Sequence, residues 1–311
     1  MSFLVELARS AYPAHALDGF TATPQFNLVN ARATMWLSQL AYETASETKV
    51  KSILDDWQLT KHAFIANDPA TGLPPRSACV VVAGGRGATF VTFAGSDPLK
   101  FEDWITNFNA VPSATDLHTG FQNAVETVWP VIKAAIANRP ASEQALFFTG
   151  HSLGGALAIV AAARAASELQ IQPTVVYTFG SPRTGGPAFF DRYRPLLGAS
   201  TFRLINGGDI VPTVPPSAPG DYRHVGQSIQ CLTDSRFDDP QTKTSAGEAN
   251  KPDLVEDAIA AGLADFRAFS AFRFIRSIGP RPLDRFAGIL PRMVRDHVPA
   301  NYFRALSIPL R

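Results

Sequence analysis

The sequence predicts an α/β fold: an open, mostly parallel sheet with helices on both sides. Three observations predict it. Short apolar segments alternate with helical segments through the middle of the chain, which is the pattern of a parallel sheet covered on both faces. One apolar segment, 145–149, turns sharply through Gly150–Gly155 into an Ala-rich helix. Polar and glycine-rich motifs follow the predicted strands, and active sites in such sheets lie at the carboxyl ends of strands.

Composition indicates a folded globular protein, which we predict to be a single domain over residues 1–311. The 46% hydrophobic and 18% charged residues argue against disorder. The formal net charge of +1 gives no overall attraction to nucleic acid, so no nucleic-acid partner is expected. No stretch approaches the roughly 18 consecutive apolar residues of a membrane-spanning helix.

The N-terminus and the cysteines indicate a cytoplasmic location. Residues 1–7 lack a basic segment followed by an apolar one, so no secretory signal is visible. Cys79 lies in an apolar strand, which favours a buried free thiol over a disulfide with Cys231. Secretion by a route without a signal is the alternative.

The elements follow from periodicity and turn residues. Apolar positions at helical spacing predict helices over 27–47 and 50–58. Two strands joined by the glycine-rich turn 84–87 form a predicted hairpin. Further strands are predicted after it, separated by helical segments, of which one ends near residue 138 and another follows the Gly150–Gly155 turn through Ala163. The predicted strands are 77–82, 88–93, 145–149, 174–179, 201–206 and 222–229.

Two segments stand outside this alternation. Residues 97–112 include a short amphipathic stretch, whose apolar members Phe101, Trp104, Ile105 and Phe108 would face the space above the strand ends. Residues 232–295 begin with a polar, turn-rich loop and continue with a predicted helix over 254–278. We expect the second segment to be an insertion or cap.

Ser152 is the candidate nucleophile. It lies in a Gly-x-Ser-x-Gly turn between a predicted strand and a predicted helix, and such a corner exposes the serine oxygen in front of the helix N-terminus. The flanking glycines avoid a Cβ at so sharp a bend. A structural glycine turn with an incidental serine is the alternative for the pentapeptide alone.

A serine nucleophile requires a base and an acid that orients this base. Among six histidines, His297 lies near the C-terminus, where the chain order serine, acid, histidine of sheet-built hydrolases places the base. His224 is the alternative. His151, next to the nucleophile, is expected to point away from its reactive side.

Asp209 is the candidate acid. It follows the predicted strand 201–206 in a glycine-rich turn, which aims a carboxylate at the same sheet edge. Asp191, in a predicted helix, and Asp221, in an open turn, are alternatives. For the oxyanion, the backbone N–H of Leu153 and a donor from the loop at Ser96 are expected.

Six ordered motifs resemble the class 3, fungal-type triacylglycerol lipases. They are spread across residues 27–305, and their order and spacing match that family. The motifs are Phe93–Ser96, His118–Phe121, Gly150–Gly155, Tyr177–Arg183, Gly208–Pro212 and Asp296–Phe303.

The resemblance implies an α/β-hydrolase fold and hydrolysis of carboxylic esters by Ser152, Asp209 and His297. It further implies that Ser96 and Leu153 form the oxyanion hole and that the segment 97–112 is a lid. No cofactor and no metal are expected, and the expected partner is a lipid or small ester substrate. A phospholipase or acyltransferase on this scaffold, or a catalytically silent lipid-binding module, is the alternative.

Two features depart from the family. Ala94 stands where its members usually carry Arg, which bears on the support of the oxyanion loop. Residues 266–295 contain seven arginines and one acid among several phenylalanines. This composition suits peripheral contact with an anionic lipid interface. A capping helical hairpin with solvated arginines is favoured over it.

Overall fold

The structure, a computed structural model, describes residues 6–66, 78–96, 116–215, 221–246 and 292–310. Within these ranges eight strands form one sheet, in which the order of strands is their order along the chain. The five strands β3 to β7 are parallel, whereas β1, β2 and β8 pair antiparallel at the two edges. The strands are β1 Thr60–Ile65, β2 Val80–Gly85, β3 Ala88–Phe93, β4 Ala145–His151, β5 Thr174–Phe179, β6 Thr201–Asn206, β7 Gln227–Cys231 and β8 Lys243–Ala246.

Helices cover both faces of the sheet, as the sequence predicts. The buried residues of α1, α2 and α7 pack on one face, and those of α3, α4 and α5 pack on the other. A single-turn helix, α6, precedes α7. The helices are α1 Leu28–Leu40, α2 Glu47–Asp56, α3 Thr119–Ala137, α4 Leu153–Glu168, α5 Pro187–Leu197, α6 Arg292–Arg295 and α7 Pro299–Ala305.

The central strand β4 shows why the sheet needs cover on both sides. Its consecutive residues Phe147 and Phe148 belong to the two different core clusters, because successive side chains of a strand point to opposite faces. All seven residues of β4 are buried. A continuous apolar run is typical of a parallel strand buried on both faces. The core therefore fixes the position of the turn that follows β4.

The edge strands differ from the predictions. The polar loop expected at the start of the segment 232–295 contains β8, whose residues Lys243, Thr244 and Ser245 are polar and exposed. β1 was not predicted either. Edge strands are solvated along one side, so apolar runs do not mark them. The strand predicted over 222–229 is shorter, because Gly226 at φ +73° separates β7 from the preceding residues.

The predicted lid residues Phe101, Trp104, Ile105 and Phe108 lie outside the described residues, as does the predicted helix 254–278. The lid, the cap and the single-domain organisation stay predictions. None of the helices in the described ranges is long and apolar enough to cross a membrane.

Candidate active site

Ser152 lies in a strained turn between β4 and α4. Its backbone has φ +59° and ψ −132°, a conformation that costs a non-glycine residue roughly 1–3 kcal/mol. Its N–H donates to the Phe179 carbonyl oxygen at 2.9 Å, which ties the turn to the end of β5. A methyl group on Gly150 would lie 2.8 Å from the Gly155 nitrogen, so this glycine allows the helix to approach the strand.

Asp209 and His297 form a buried pair. Asp209 follows β6 and His297 follows α6. The Nδ1 atom of His297 lies 2.9 Å from each carboxylate oxygen of Asp209, and the residues are 6% and 4% exposed. A carboxylate can only accept, so Nδ1 is the donor, and Nε2 keeps the lone pair that a general base requires.

The ends of β4, β5 and β6 bring the three residues to one edge of the sheet. Gly180, directly after β5, adjoins the pair: a methyl group there would lie 2.9 Å from His297 Nδ1 and would collide with Asp209 Oδ2. The preceding residue, Phe179, accepts the Ser152 N–H. The predicted nucleophile, acid and base therefore converge across β5.

Tyr302 on α7 forms a hydrogen bond with the candidate acid. Its hydroxyl donates to Asp209 Oδ2 at 2.6 Å and accepts from the Asn206 N–H at 3.2 Å. Burial, followed by the negative charge of Asp209, raises the pKa of Tyr302 well above its usual value. The hydroxyl therefore keeps its proton, and Asp209 Oδ2 has a permanent donor.

His151 packs against the candidate base, a contact that the sequence analysis did not predict. Its ring stacks on His297 with centroids 4.6 Å apart, and its Nε2 donates to the His297 carbonyl oxygen at 2.7 Å. The Tyr42 hydroxyl lies 2.8 Å from His151 Nδ1 and donates to it. Burial, followed by the positive charge that His297 carries when it is protonated, lowers the pKa of His151 well below its usual value, so the ring stays neutral.

The candidate oxyanion loop lies against the nucleophile. A methyl group on Gly95 would lie 3.1 Å from Ser152 Cβ. Ser96 follows Gly95 directly and is partly exposed, while Leu153 begins α4 behind the nucleophile. Ala94 is buried with Ala41 and Tyr42. Apolar packing thus supports this loop.

The alternative base and acids lie elsewhere. His224 donates from Nε2 to the Pro212 carbonyl oxygen at 2.7 Å, and burial, followed by the charges of Arg203 and Arg183, lowers its pKa well below the usual value. Asp191 is exposed on α5, and Asp221 is exposed and pairs with Arg223.

Sequence reasoning did not predict the contacts that place His151, Tyr302 and Asp296 beside the candidate triad. Each is a polar residue within one to five positions of a predicted catalytic residue. That combination was the available signal.

The described residues contain no group of three or more His, Cys, Asp or Glu side chains arranged to hold a metal ion. The chain's two cysteines, both in described ranges, are not joined by a disulfide.

Comparison with known proteins matches this part of the chain to lipases. The sequence model of the class 3 lipase family matches residues 90–218. The secreted mono- and diacylglycerol lipase 1 of Fusarium solani is 39% identical over 155 residues, covering 47% of this chain and 45% of that protein. A secreted mono- and diacylglycerol lipase of Malassezia globosa is 34% identical over 122 residues, covering 38% and 39%. The chain thus matches less than half the length of either relative.

The fold is shared with a solved lipase structure. The triacylglyceride lipase of Rhizomucor miehei superposes with a TM-score of 0.57 at 22% identity, covering 73% of this chain and 86% of that one. The predicted α/β-hydrolase fold is confirmed by this likeness.

The predicted cytoplasmic location is wrong, because the Fusarium and Malassezia relatives are named as secreted lipases. The prediction rested on the composition of residues 1–7 and on the two cysteines, which do not determine whether a protein is exported. The family model and the relatives show that this part of the chain is similar to class 3 lipases, and the solved structure shows that the fold is shared.

Proposed function

We propose that the protein is a serine hydrolase that cleaves carboxylic esters of acylglycerols, with Ser152 as nucleophile, His297 as base and Asp209 as orienting acid. The observation that carries the proposal is the strained turn of Ser152 at the same sheet edge as the buried Asp209–His297 pair. A serine at positive φ before a helix carries a backbone cost, which is typical of a residue whose hydroxyl has a functional role.

In the first half of the reaction, the Ser152 oxygen attacks the ester carbonyl and its proton passes to His297 Nε2. Asp209 accepts from Nδ1 and stabilises the imidazolium that forms. The tetrahedral intermediate collapses when Nε2 gives the proton to the leaving alcohol. An acyl group then remains on the Ser152 oxygen.

In the second half, a water molecule attacks the acyl group while His297 Nε2 takes its proton. The proton returns to the Ser152 oxygen as the carboxylic acid leaves. The developing oxyanion would receive the backbone N–H of Leu153, the first residue of α4, and a donor from Ser96. The close approach of Gly95 to Ser152 supports this second donor.

The names of the relatives support an acylglycerol substrate and an extracellular site of action. Both aligned secreted lipases act, by name, on mono- and diacylglycerols. We infer that this protein too is exported and hydrolyses esters of glycerol with fatty acids.

The test is hydrolysis of p-nitrophenyl esters from C2 to C16 and of mono-, di- and triacylglycerols. Wild type should turn over medium or long acyl chains, and Ser152→Ala and His297→Ala should lose at least about a thousandfold in kcat. His224→Ala, which removes a half-buried imidazole outside the triad, is the matched control and should keep its kcat. Full activity in Ser152→Ala would overturn the proposal, and a steep preference for C2 would exclude a lipid substrate.

A further inference from the structure

The Asp209–His297 pair joins two loops that are 88 residues apart in sequence. Asp209 follows Gly207 and Gly208, and Gly207 adopts φ +54°. Two consecutive glycines make a turn with many accessible conformations. Some other contact must therefore hold this turn at hydrogen-bond distance from the base.

Asp296 makes that contact. It precedes His297 directly, is 4% exposed, and its Oδ2 atom accepts from the Gly208 N–H at 2.9 Å and from the Thr233 hydroxyl at 3.2 Å. The carboxylate is thus hydrogen-bonded to the backbone of the turn one residue before Asp209. It also joins this turn to the segment that follows β7, where Thr233 lies.

The backbone of the same residue adds a second tie. The Asn206 side-chain amide donates to the Asp296 carbonyl oxygen at 2.9 Å, so the end of β6 is bonded to the His297 segment on both sides of the glycine turn. A substitution at Asp296 can remove the hydrogen bonds of its side chain and leave the backbone hydrogen bond from Asn206 in place.

We propose that Asp296 is a positioning residue for catalysis, which sets the distance between the orienting acid and the base by holding the Gly207–Gly208 turn. It acts through Asp209 and does not touch the substrate. The inference rests on the proposed function. A buried N–H that loses its acceptor carries a desolvation cost, so the turn will move toward another partner when the carboxylate is removed. A displacement of about 1 Å in a catalytic group can lower the rate by about a hundredfold.

The experiment measures kcat and KM on a soluble p-nitrophenyl ester for Asp296→Ala, Asp296→Asn and the double variant Asp209→Ala/Asp296→Ala. Asp296→Ala should lower kcat by about tenfold to a hundredfold with KM changed less than about twofold. Asp296→Asn keeps an oxygen for both donors and should restore kcat to within about threefold of wild type. In the Asp209→Ala background, Asp296→Ala should cost less than about twofold more, because its effect passes through the missing acid.

Asp239→Ala is the matched control. The Asp239 carboxylate also accepts two hydrogen bonds, from the Gln241 N–H at 2.8 Å and the Ser235 hydroxyl at 2.9 Å, and neither donor belongs to the triad loops. It should keep wild-type kcat. If Asp296→Ala does not fold, Asp296→Leu, an apolar residue of similar size, takes its place.

The proposal is overturned if Asp296→Ala keeps wild-type kcat, if Asp296→Asn fails to restore it, or if the two substitutions multiply in the double variant. Failure of both Asp296→Ala and Asp296→Leu to fold, while Asp296→Asn folds, would assign the carboxylate to stability alone and overturn it too. Inactivity of Ser152→Ala beside an active Asp296→Ala would refute this inference and leave the proposed function standing.

Discussion

The substitution Gly180→Ala should lower activity, because the added methyl group would separate Asp209 from His297. In Gly180→Ala the new Cβ would lie 2.9 Å from His297 Nδ1 and 2.9 Å from the Tyr302 hydroxyl, and would collide with Asp209 Oδ2. Carbon in van der Waals contact needs about 3.5 Å or more. The side chains must therefore yield by roughly half an ångström or more.

Two costs combine in this variant. Gly180 has φ +58°, so alanine there carries a backbone penalty of about 1–2 kcal/mol, and overpacking adds about 1–3 kcal/mol. The unfolding free energy should thus fall by about 2–5 kcal/mol. The displaced pair should lower kcat/KM by about a hundredfold.

Gly87→Ala is the control that distinguishes the backbone penalty from the steric overlap, because it carries only the first. Gly87 also has a positive φ, +82°, but a methyl group there would meet only Ala22 Cβ at 3.6 Å, an ordinary contact. The control should lose about 1–2 kcal/mol of stability and keep wild-type kcat/KM. Urea unfolding and ester hydrolysis measure both quantities. A Gly180→Ala variant with wild-type kcat/KM would refute the packing of the pair described above.

Two further predictions concern the buried hydroxyl and a buried histidine. Tyr302→Phe should lower kcat/KM by about tenfold to a hundredfold and the unfolding free energy by about 1–3 kcal/mol. The control is Tyr193→Phe, which removes a hydroxyl that bonds Thr201 at 2.7 Å and should lower the unfolding free energy alone. Equal kcat/KM values for the two variants would contradict the role of Tyr302. Burial lowers the pKa of His118 to about 4. As the pH falls from about 6.5 toward 4, His118 is therefore protonated in the unfolded chain before it is protonated in the folded one. The unfolding free energy should fall over this range by up to about 1 kcal/mol per pH unit. Urea titrations at pH 7 and pH 5 should show this slope reduced in His118→Phe, and an unchanged slope would contradict it.

The centre of the sheet could be predicted because its strands are buried on both faces. β5 and β6 occupy the predicted ranges, and β3 does so too, since continuous apolar runs bounded by turn residues mark such strands. The edge strands β1 and β8 could not be found in this way. Their pairing depends on neighbours distant in sequence, and their polar residues resemble those of a loop.

The site follows the same division. The turn of Ser152 is encoded locally by its glycines, and the order of motifs along the chain points to Asp209 and His297. Other contacts join residues that only the folded sheet brings together. They are the stacking of His151 on His297 and the hydrogen bond from the Gly208 N–H to Asp296. Neighbouring positions suggest such residues, but periodicity and spacing contain no information on their contacts.

The central claim is that Ser152 is a nucleophile activated by His297, and covalent labelling tests it most directly. The protein is treated with a serine-reactive alkyl phosphonate, and intact-mass and peptide mass spectrometry locate the adduct. We predict one adduct per chain, on Ser152, formed at least about a hundredfold more slowly in His297→Ala. No adduct on the wild-type protein, or an adduct on another residue, would contradict the claim.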